Sequence, residues 1–435
     1  MLQELYARHI QRLVGLYTQS LSATDAAGIL LHSGSAAHYY ADDREISFQA
    51  YGHFLHWIAV NRPDQFLLIR PGQKPVYYQI VPSDFWYEQE IQDDPMWLEA
   101  FEIVRLESVA QISGQLADQP LVYLGDKPEV AKSLGIDATL CNPQQLLHFL
   151  DYHRAWKSEF EIEQLKEANR LALIGHEAAR ECFLAGGSEY DIHLAYLGAC
   201  KILEDETPYT NIVALNEKSA ILHYQNKRRN SEDNRVLLID AGYRVRGYGS
   251  DITRTTASDS AHPLFRALLA GMEALELDLI AQLVPGKSYV DIHLAALRGV
   301  ADLLLELEIC SGSKEALWDA QLPQLFMPHG VGHLLGINVH DAGGRMQDET
   351  GTTLAPPAHS PMLRNTRTMT EDMVFTIEPG CYFIPMLLEP ERTQKRGKLI
   401  NWQSVEQLYS HGGIRVEDNV RVGADAAENL TRQFE

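Results

Sequence analysis

Roughly the first 150 residues combine one helical pattern with several strand patterns. Apolar side chains in the opening segment recur at helical spacing, which predicts an amphipathic helix. Short apolar runs bounded by turn residues follow and predict β-strands, with PGQKP as a hairpin loop between the second and third runs. The helix face comprises Leu5, Leu13, Val14, Tyr17 and Leu21, and the strand runs are GILLHS, QFLLIRPG, PVYYQIVP, EIVRLES and PLVYLGD.

A longer helical pattern begins near residue 157. Residues 157–187 keep helical periodicity up to a glycine pair, where the chain can leave the helix. A second long helix is predicted from His262 to about Leu283, just before a Pro-Gly pair. The runs VLLID, SDITRT, FTIEPGCYF and GGIRVEDNVRV predict strands in the same part of the chain.

Nearly the same six residues follow both long helices. Ser-Glu-Tyr-Asp-Ile-His occupies 188–193 and Ser-Tyr-Val-Asp-Ile-His occupies 288–293. In each, the Ser and the Asp three residues later predict a capping box that opens another helix. Capping boxes can recur by chance; alternatively, the chain contains an internal duplication, with a repeat far too long for a solenoid.

Composition and charge limit the class of protein. The chain has 435 residues, with 37 Lys and Arg against 59 Asp and Glu, for a net charge of −22. Length predicts roughly two or three globular domains of about 150 residues each. The acidic excess argues against nucleic acid or an anionic membrane as a partner, because both require a basic surface.

The cysteines and the apolar segments favour a cytoplasmic protein. Five scattered cysteines without a CxxC pair fit neither a disulfide framework nor a zinc knuckle, so we expect a reducing compartment. The N-terminus lacks a basic segment followed by an apolar one. The most apolar long stretch, residues 267–284, contains several acidic residues, so we do not expect it to span a bilayer.

Four carboxylates interrupt apolar strand patterns in the second half of the chain. A buried carboxylate is costly unless it is paired, hydrogen-bonded or bound to a metal. One alone would be interpreted as an ion-paired acid, whereas four together require a shared counter-charge. Oxygen ligands with a single histidine suit Mn²⁺ or Co²⁺ better than a thiolate zinc site. The four are Asp240, Asp251, Glu378 and Glu417.

The segment MPHGVGHLLGINVHD supplies the candidate histidines His329, His333 and His340. A single histidine is usually structural, but the glycines at 330 and 332 allow the backbone to approach closely and favour His333 as a ligand. Two bridging carboxylates, one histidine and one further carboxylate on each side would hold two ions about 3.5 Å apart, as in two-metal hydrolases.

The order of these residues resembles a known metallopeptidase family. Asp240 and Asp251 are eleven residues apart, HGVGH contains His333, IEPG contains Glu378 and GIRVED contains Glu417. All five positions match the metal ligands of the family that includes prolidase, aminopeptidase P and methionine aminopeptidase. The junction YHRAWKSEFEIEQLKEAN, the segment LHYQN and the total length are similar to bacterial Xaa-Pro dipeptidases, which include organophosphorus acid anhydrolases.

The resemblance implies a fold and a metal site. We expect an α+β chain with a mixed α/β N-terminal domain at 1–155, for substrate gating and dimerisation, and a duplicated "pita-bread" catalytic domain at 156–435. Asp240 would chelate one ion, Asp251 would bridge both and His333 would bind the other. Glu378 and Glu417 would bind at the shared face. A metal-bridging hydroxide would attack the scissile carbonyl, with Glu378 moving the proton.

The resemblance also implies substrate-contacting residues. His223 and His340 correspond to positions that contact the substrate and stabilise the tetrahedral intermediate. Arg415 can offer a bidentate fork to a free carboxylate, or it merely neutralises the acidic site. Further candidates for lining the substrate pocket are His329, Tyr289, Leu222 and Trp86, the last of which would reach in from the N-terminal domain of the same chain or of a dimer partner.

Together with the ligand pattern, the resemblance implies a metal-dependent hydrolase of Xaa-Pro dipeptides with a trans-proline. The expected cofactors are two divalent ions, Mn²⁺ first and Co²⁺ or Zn²⁺ as alternatives. The expected enzyme is a homodimer that binds neither nucleic acid nor membrane. Aminopeptidase P activity on longer peptides is the alternative within the family, and methionine aminopeptidase is disfavoured by the N-terminal domain. The remaining alternatives are a metal-free peptide-binding relative, disfavoured by the intact ligand set, and a phosphotriesterase, which also fits as a side activity.

Overall fold

The computed structural model describes residues 1–116, 119–231 and 233–435. The chain divides into two compact units. The N-terminal unit contains Met1–Arg154 together with Ser158–Ile162 and Asp348–Thr352, and the second unit contains Ala155–Lys157, Glu163–Gln347 and Thr353–Glu435. Each unit has a hydrophobic core of its own.

A five-stranded mixed sheet forms the centre of the N-terminal unit, in the order β4-β3-β2-β1-β5. All five predicted apolar runs are strands, and PGQKP joins an antiparallel pair as expected. The outer pairs, β3 with β4 and β1 with β5, are parallel. The strands are β1 Gly28–His32, β2 Phe66–Ile69, β3 Val76–Ile80, β4 Glu102–Leu106 and β5 Leu121–Leu124; the helices are α1 Leu2–Ser20, α2 Gly52–Leu55, α3 Pro95–Ala100, α4 Pro128–Ser133 and α5 Gln144–His153.

The buried face of α1 differs slightly from the predicted one. Leu13, Tyr17 and Leu21 are buried, whereas Leu5 and Val14 are only half-buried. Tyr6 and Ile10 complete the buried stripe. The buried stripe therefore runs along the line of Tyr6, Ile10, Leu13 and Tyr17, which keeps the three-and-four spacing of a helix.

The second unit contains two pairs of consecutive long helices, α6 with α7 and α8 with α9. α7 begins with a reciprocal capping box, because Asp191 N–H donates to Ser188 Oγ and Ser188 N–H donates to Asp191 Oδ2. At α9 the expected box has a different partner: Ser288 Oγ accepts from Val290 N–H at 3.2 Å. The helices are α6 Glu159–Leu184, α7 Glu189–Cys200, α8 Pro263–Ile280, α9 Tyr289–Glu306, α10 Lys314–Asp319, α11 Pro323–Phe326, α12 Pro385–Leu388 and α13 Trp402–Leu408.

Short antiparallel sheets hold the second unit together in the orders β10-β7-β6, β11-β14-β15, β12-β13 and β8-β9. An isolated bridge between Thr253 and Glu417 joins the first two groups of strands. The strands are β6 Ile212–Leu215, β7 Val236–Asp240, β8 Arg244–Val245, β9 Tyr248–Gly249, β10 Thr253–Ala257, β11 Val374–Ile377, β12 Gly380–Tyr382, β13 Gly413–Arg415, β14 Asp418–Arg421 and β15 Glu428–Asn429.

The four candidate carboxylates lie at strand ends rather than in the middle of strands. Asp240 is the last residue of β7, and Asp251 precedes β10. Glu378 lies in the gap between β11 and β12, and Glu417 lies between β13 and β14. The expectation of carboxylates in mid-strand was therefore wrong. Side chains alternate faces within a strand, so a break at these points frees each carboxylate to turn towards a common cavity.

Within the described residues, no helix combines the length and the apolar character that a membrane crossing requires.

Leu297 tests the packing of α9, because its side chain is fully buried in the core of the second unit. Leu297→Ala should lower the free energy of unfolding by about 2–5 kcal/mol, since it leaves a cavity. Leu277→Ala on α8 is the matched control, because Leu277 is 46% exposed, and we expect a loss below about 1 kcal/mol. Urea unfolding followed by circular dichroism measures both. Equal losses would contradict the assigned packing.

Candidate metal centre

A cavity of about 360 Å³ in the second unit brings the predicted site residues together. Its wall contains all five candidate metal ligands and most of the candidate substrate residues. It is lined by Leu222, His223, Asp240, Asp251, Pro328, His329, Gly330, Gly332, His333, His340, Met362, Arg364, Glu378, Arg415 and Glu417.

Three of the candidate ligands form a compact group. One ligand atom from each of Asp251, His333 and Glu417 lies within 4.8 Å of the others. All three side chains are buried, and His333 Nε2 is 3.3 Å from Asp251 Oδ2. Metal–ligand bonds of about 2.0–2.2 Å require donor atoms a few ångströms apart, so this spacing suits a divalent ion.

Asp240 and Glu378 line the same cavity beside this group. Glu378 Oε1 is 3.9 Å from His333 Nε2, and its Oε2 is 3.7 Å from His329 Nδ1. Asp240 is engaged with two protein donors: Tyr209 donates to its Oδ1 at 2.7 Å, and Arg415 donates to its Oδ2 at 2.5 Å. Both carboxylates are therefore close to the group formed by Asp251, His333 and Glu417.

The crowding of carboxylates changes their proton affinities. Burial, reinforced by Asp251 and Asp240, raises the pKa of Glu378 to about 7. Burial also raises the pKa of Asp240 to about 6, with a further contribution from Asp251. The pKa of Glu417 lies well above its ordinary value for the same reasons: burial first, then the neighbouring Asp251 and Glu378. Without added positive charge, the cavity does not favour four ionised carboxylates at once.

Asp251 and His333 behave as an ion pair. Burial acts against it, but the hydrogen bond from His333 lowers the pKa of Asp251. Burial also opposes protonation of His333, yet Asp251 raises the pKa of its imidazole. His333 Nδ1 lies 2.9 Å from the Leu334 carbonyl, which directs Nε2 to the carboxylates. A metal-binding histidine is commonly oriented in this way.

Gly332 allows the His333 loop to approach its neighbours. Its φ of +148° favours glycine, and a Cβ there would collide with the Thr376 carbonyl oxygen and the Tyr289 hydroxyl. Gly332 lines the cavity. The atoms that leave no room for a side chain at this position are the Thr376 carbonyl oxygen and the Tyr289 hydroxyl, which lie on the other side of the loop from the cavity.

Arg415 is buried inside the acidic cluster. Its guanidinium donates to Asp240 Oδ2, to Thr253 Oγ1 at 3.0 Å and to the Tyr382 hydroxyl at 3.0 Å. These contacts use three of the five N–H groups of an arginine. Arg415 therefore does offset the carboxylates, which was one of the two interpretations of its position. It also lines the cavity, which the second interpretation requires.

Four of the other candidate substrate residues line the cavity. They are Leu222, His223, His329 and His340. Burial lowers the pKa of His329 to about 3 and that of His340 to about 4, so both imidazoles are neutral at neutral pH. The nearby Arg415 adds to the shift of His329, and His333 adds to that of His340.

Tyr289 and Trp86 are not among the described residues that line the cavity. Tyr289 is the first residue of α9 and is fully buried; it packs on Phe375 and donates its hydroxyl hydrogen to the Thr376 carbonyl at 2.8 Å. Its contact with substrate stays a prediction. Trp86 lies in the N-terminal unit with 76% of its surface exposed, and its contact with substrate stays a prediction.

Several polar residues that hold the site together could not be predicted from motifs in the sequence. Thr253 donates to Glu417 Oε2 at 2.6 Å, Tyr209 contacts Asp240, and the Tyr382 hydroxyl lies 3.0 Å from His329 Nε2. Thr253 follows Asp251 by two residues, which was a usable signal. Tyr209 and Tyr382 carry no such signal, since uncharged residues in apolar surroundings do not stand out in a sequence.

A second cluster with metal-binding residue types, His9, His56 and Glu161, lies in the N-terminal unit. His9 Nδ1 is 2.9 Å from Ser158 Oγ, and His9 Nε2 is 2.8 Å from the His56 carbonyl oxygen. His56 Nε2 contacts Glu161 Oε1 at 3.1 Å, and Arg12 donates to Glu161 Oε2 at 3.4 Å. These ligand atoms are already in hydrogen bonds, so we interpret the cluster as a buried polar network.

The raised carboxyl pKa values predict proton release on metal binding. A cation that enters at neutral pH should displace protons from Glu378, whose pKa is about 7. At about pH 8.5 this carboxyl is already ionised, so Mn²⁺ should release fewer protons than at about pH 6.5. Calorimetry in two buffers of different ionisation enthalpy measures the number. Glu378→Gln should reduce the release at the lower pH, and a release independent of both pH and this substitution would contradict the assignment.

Two known family models match the chain. Metallopeptidase family M24 matches residues 163–424, and the N-terminal domain of Xaa-Pro dipeptidase matches residues 4–152. The Xaa-Pro dipeptidase of Pseudoalteromonas atlantica is 40% identical over 441 residues, covering 100% of this chain and 99% of the relative. That of Aeromonas hydrophila is 41% identical over 436 residues, covering 99% and 98%.

Solved structures share the fold at lower identity. Aminopeptidase P from Escherichia coli aligns with a TM-score of 0.75 and 21% identity, covering 100% of this chain and 95% of that chain. Proline aminopeptidase P II from Yersinia pestis gives 0.74 and 23%, covering 100% and 97%. The expected fold, a mixed α/β N-terminal domain followed by a pita-bread catalytic domain, is confirmed. The chain belongs to metallopeptidase family M24, alongside relatives that are curated as Xaa-Pro dipeptidases.

Proposed function

We propose that this metallopeptidase hydrolyses Xaa-Pro dipeptides with two divalent ions held by Asp240, Asp251, His333, Glu378 and Glu417. The observation that carries the proposal is the gathering of these five side chains on one cavity wall. Four carboxylates and one imidazole form a donor set suited to divalent ions. The raised pKa values of Asp240, Glu378 and Glu417 indicate that the site favours added positive charge. The full-length similarity to Xaa-Pro dipeptidases supports the substrate class.

The bound ions would polarise the scissile carbonyl and make water a stronger nucleophile near neutral pH. Glu378 is the carboxylate we assign to proton transfer. Its side chain is 18% exposed, against 3% for Glu417, so it is the more accessible of the two carboxylates to water or substrate in the cavity.

The histidines on the cavity wall would bind substrate by hydrogen bonds. His340 and His223 are assigned to the developing oxyanion; burial lowers the pKa of His340 to about 4, so its neutral imidazole can donate one hydrogen bond without adding charge. His340 packs edge-on against the His333 ring at 4.4 Å, which places it beside the proposed ligands. His329 and Leu222 would contact the rest of the dipeptide.

Arg415 has two proposed roles, as a counter-charge within the site and as the group that recognises the substrate carboxylate. A dipeptidase must recognise a free carboxylate close to the scissile bond, and a guanidinium can do so with two parallel hydrogen bonds. An Xaa-Pro bond carries no N–H, so recognition must rely on other groups of the substrate. Carbonyl polarisation and carboxylate binding both meet that requirement.

Mn²⁺ is our proposed resident ion, with Co²⁺ or Zn²⁺ as alternatives. The ligand set is dominated by oxygen and contains no thiolate, which favours Mn²⁺ over the ions that prefer sulfur. Organophosphate triesters and fluorophosphonates are proposed side substrates, because the same activated water could attack phosphorus as well as carbon.

A homodimer is the proposed assembly, and the N-terminal domain is proposed to gate the substrate and take part in dimerisation. Three consecutive aromatic residues of that domain support an interface: Phe85, Trp86 and Tyr87 are 85%, 76% and 64% exposed. Aromatic side chains are enriched at protein interfaces. We also propose a cytoplasmic location, which the five free cysteines support.

Peptide length separates the proposed activity from that of aminopeptidase P. Enzyme loaded with Mn²⁺ should hydrolyse Ala-Pro faster than Ala-Pro-Ala, because Arg415 recognises a carboxylate at the second residue. Enzyme loaded separately with Mn²⁺, Co²⁺ or Zn²⁺ should be fastest with Mn²⁺. Chromatographic assay of released alanine measures this, and a fluorophosphonate tests the side activity. Gly-Ala controls for the proline requirement.

A preference for Ala-Pro-Ala would establish the aminopeptidase P alternative instead. No hydrolysis of any peptide by enzyme that contains bound metal would contradict the peptidase proposal.

A further inference from the structure

A short turn carries two of the residues that line the cavity. Tyr224 N–H donates to the Ile221 carbonyl at 3.0 Å, so the chain reverses over four residues. The two central residues of this turn are Leu222 and His223, both in the cavity wall. The position of the turn therefore decides where these two side chains meet a substrate.

The turn has little hydrophobic anchorage of its own. Ile221 is 55% exposed, His223 is exposed and Leu222 is half-buried. Tyr224 is the buried residue of the turn, at 4% exposure, and it packs with Ile212 and Leu238 of strands β6 and β7. The side chain of Tyr224 is thus the main attachment of the turn to the core.

Glu189, the first residue of α7, accepts a hydrogen bond from the Tyr224 hydroxyl and so holds this side chain in place. Its side chain is fully buried. Its Oε2 accepts from the Tyr224 hydroxyl at 2.8 Å and from Arg228 N–H at 3.0 Å. Its Oε1 accepts from Leu215 N–H at 3.2 Å and lies 3.6 Å from Lys218 Nζ. One carboxylate therefore connects both ends of the segment 224–228 to β6 and to the helix start.

The first residue of helix α9 has a similar supporting role. Glu189 and Tyr289 are each the first residue after the Ser that caps α7 or α9, and both are fully buried. Tyr289 donates to the Thr376 carbonyl, and Thr376 in turn contacts His333, since its Oγ1 accepts from His333 N–H at 3.1 Å. The first residue of each helix thus supports a loop that carries a histidine of the cavity.

We propose that Glu189 is a positioning residue, which fixes Leu222 and His223 in the substrate cavity through Tyr224. The position of these two side chains in the substrate-bound enzyme follows from the proposed function. The anchoring itself does not depend on that function. Glu189 and Tyr224 are not in the cavity wall, so they act on the substrate only through the turn.

Tyr224→Phe tests the anchor with the smallest change, because it removes one hydroxyl and keeps the buried ring. Tyr409→Phe is the matched control: its hydroxyl also donates to a glutamate, Glu389 Oε1, at 2.7 Å, and Tyr409 does not line the cavity. Amide hydrogen exchange measures the anchor directly. Tyr224→Phe should speed exchange of the amides of 224 and 228 by about tenfold and leave those of β7 unchanged, since a bond to a charged group is lost.

Kinetics on Ala-Pro test the consequence for substrate binding. Tyr224→Phe should lower kcat/KM by about fivefold or more, because the turn carries Leu222, which would contact the substrate, and His223, which is assigned to the developing oxyanion. In a background carrying both Leu222→Ala and His223→Ala, the same substitution should leave kcat/KM unchanged, since the residues through which it acts are gone. Glu189→Gln should exceed Tyr224→Phe in both assays, because an amide has only one acceptor oxygen.

Unchanged exchange of 224 and 228 in Tyr224→Phe overturns the proposal, whatever the activity of the enzyme. An equal loss of kcat/KM in both backgrounds, or the same loss in Tyr409→Phe, also overturns it. If the unmodified enzyme does not hydrolyse Ala-Pro, the proposed function fails, and the exchange result alone decides whether Glu189 anchors the turn. The Tyr224→Phe assays remain decisive if Glu189→Gln does not fold.

Discussion

Carboxylate crowding is the constraint on which the site depends. Asp240, Asp251, Glu378 and Glu417 line one cavity, and Arg415 is buried among them. Burial and mutual repulsion raise the pKa of three of these carboxyls, while His333 lowers that of Asp251. Divalent ions resolve this conflict, because each supplies two positive charges in the place where protons would otherwise bind. The same ions supply the proposed chemistry.

The fold brings these groups together by ending strands at the cavity. β7 ends at Asp240 and β10 begins just after Asp251, while Glu378 and Glu417 lie in gaps between strands. The bridge between Thr253 and Glu417 joins two of these positions directly. Helices α7 and α9, which begin within the similar segments 188–193 and 288–293, support the loops that carry His223 and His333. The positions of these cavity residues thus depend on hydrogen bonds made by residues outside the cavity wall.

The sequence predicted the parts that depend on local patterns. All five strands of the N-terminal sheet follow apolar runs, and the five proposed ligands follow recognisable motifs. Contacts between distant segments could not be predicted: Thr253 bonds to Glu417 across 164 residues, and neither residue type alone indicates the pair. The burial of Tyr289 at the start of α9 likewise depends on how that helix packs, which the residue type alone does not indicate. Tertiary geometry decided these cases.

The role of Asp251 as a ligand shared by two ions tests this account most directly. Metal content by mass spectrometry, turnover and thermal unfolding should be measured together for the unmodified enzyme and for Asp251→Asn. We expect about two ions per chain in the former and at most about one in the latter. Turnover should fall by about 10³-fold or more, a far larger effect than the loss of metal-free stability that follows when buried His333 loses its partner. Unchanged metal content with normal turnover in Asp251→Asn would contradict the account.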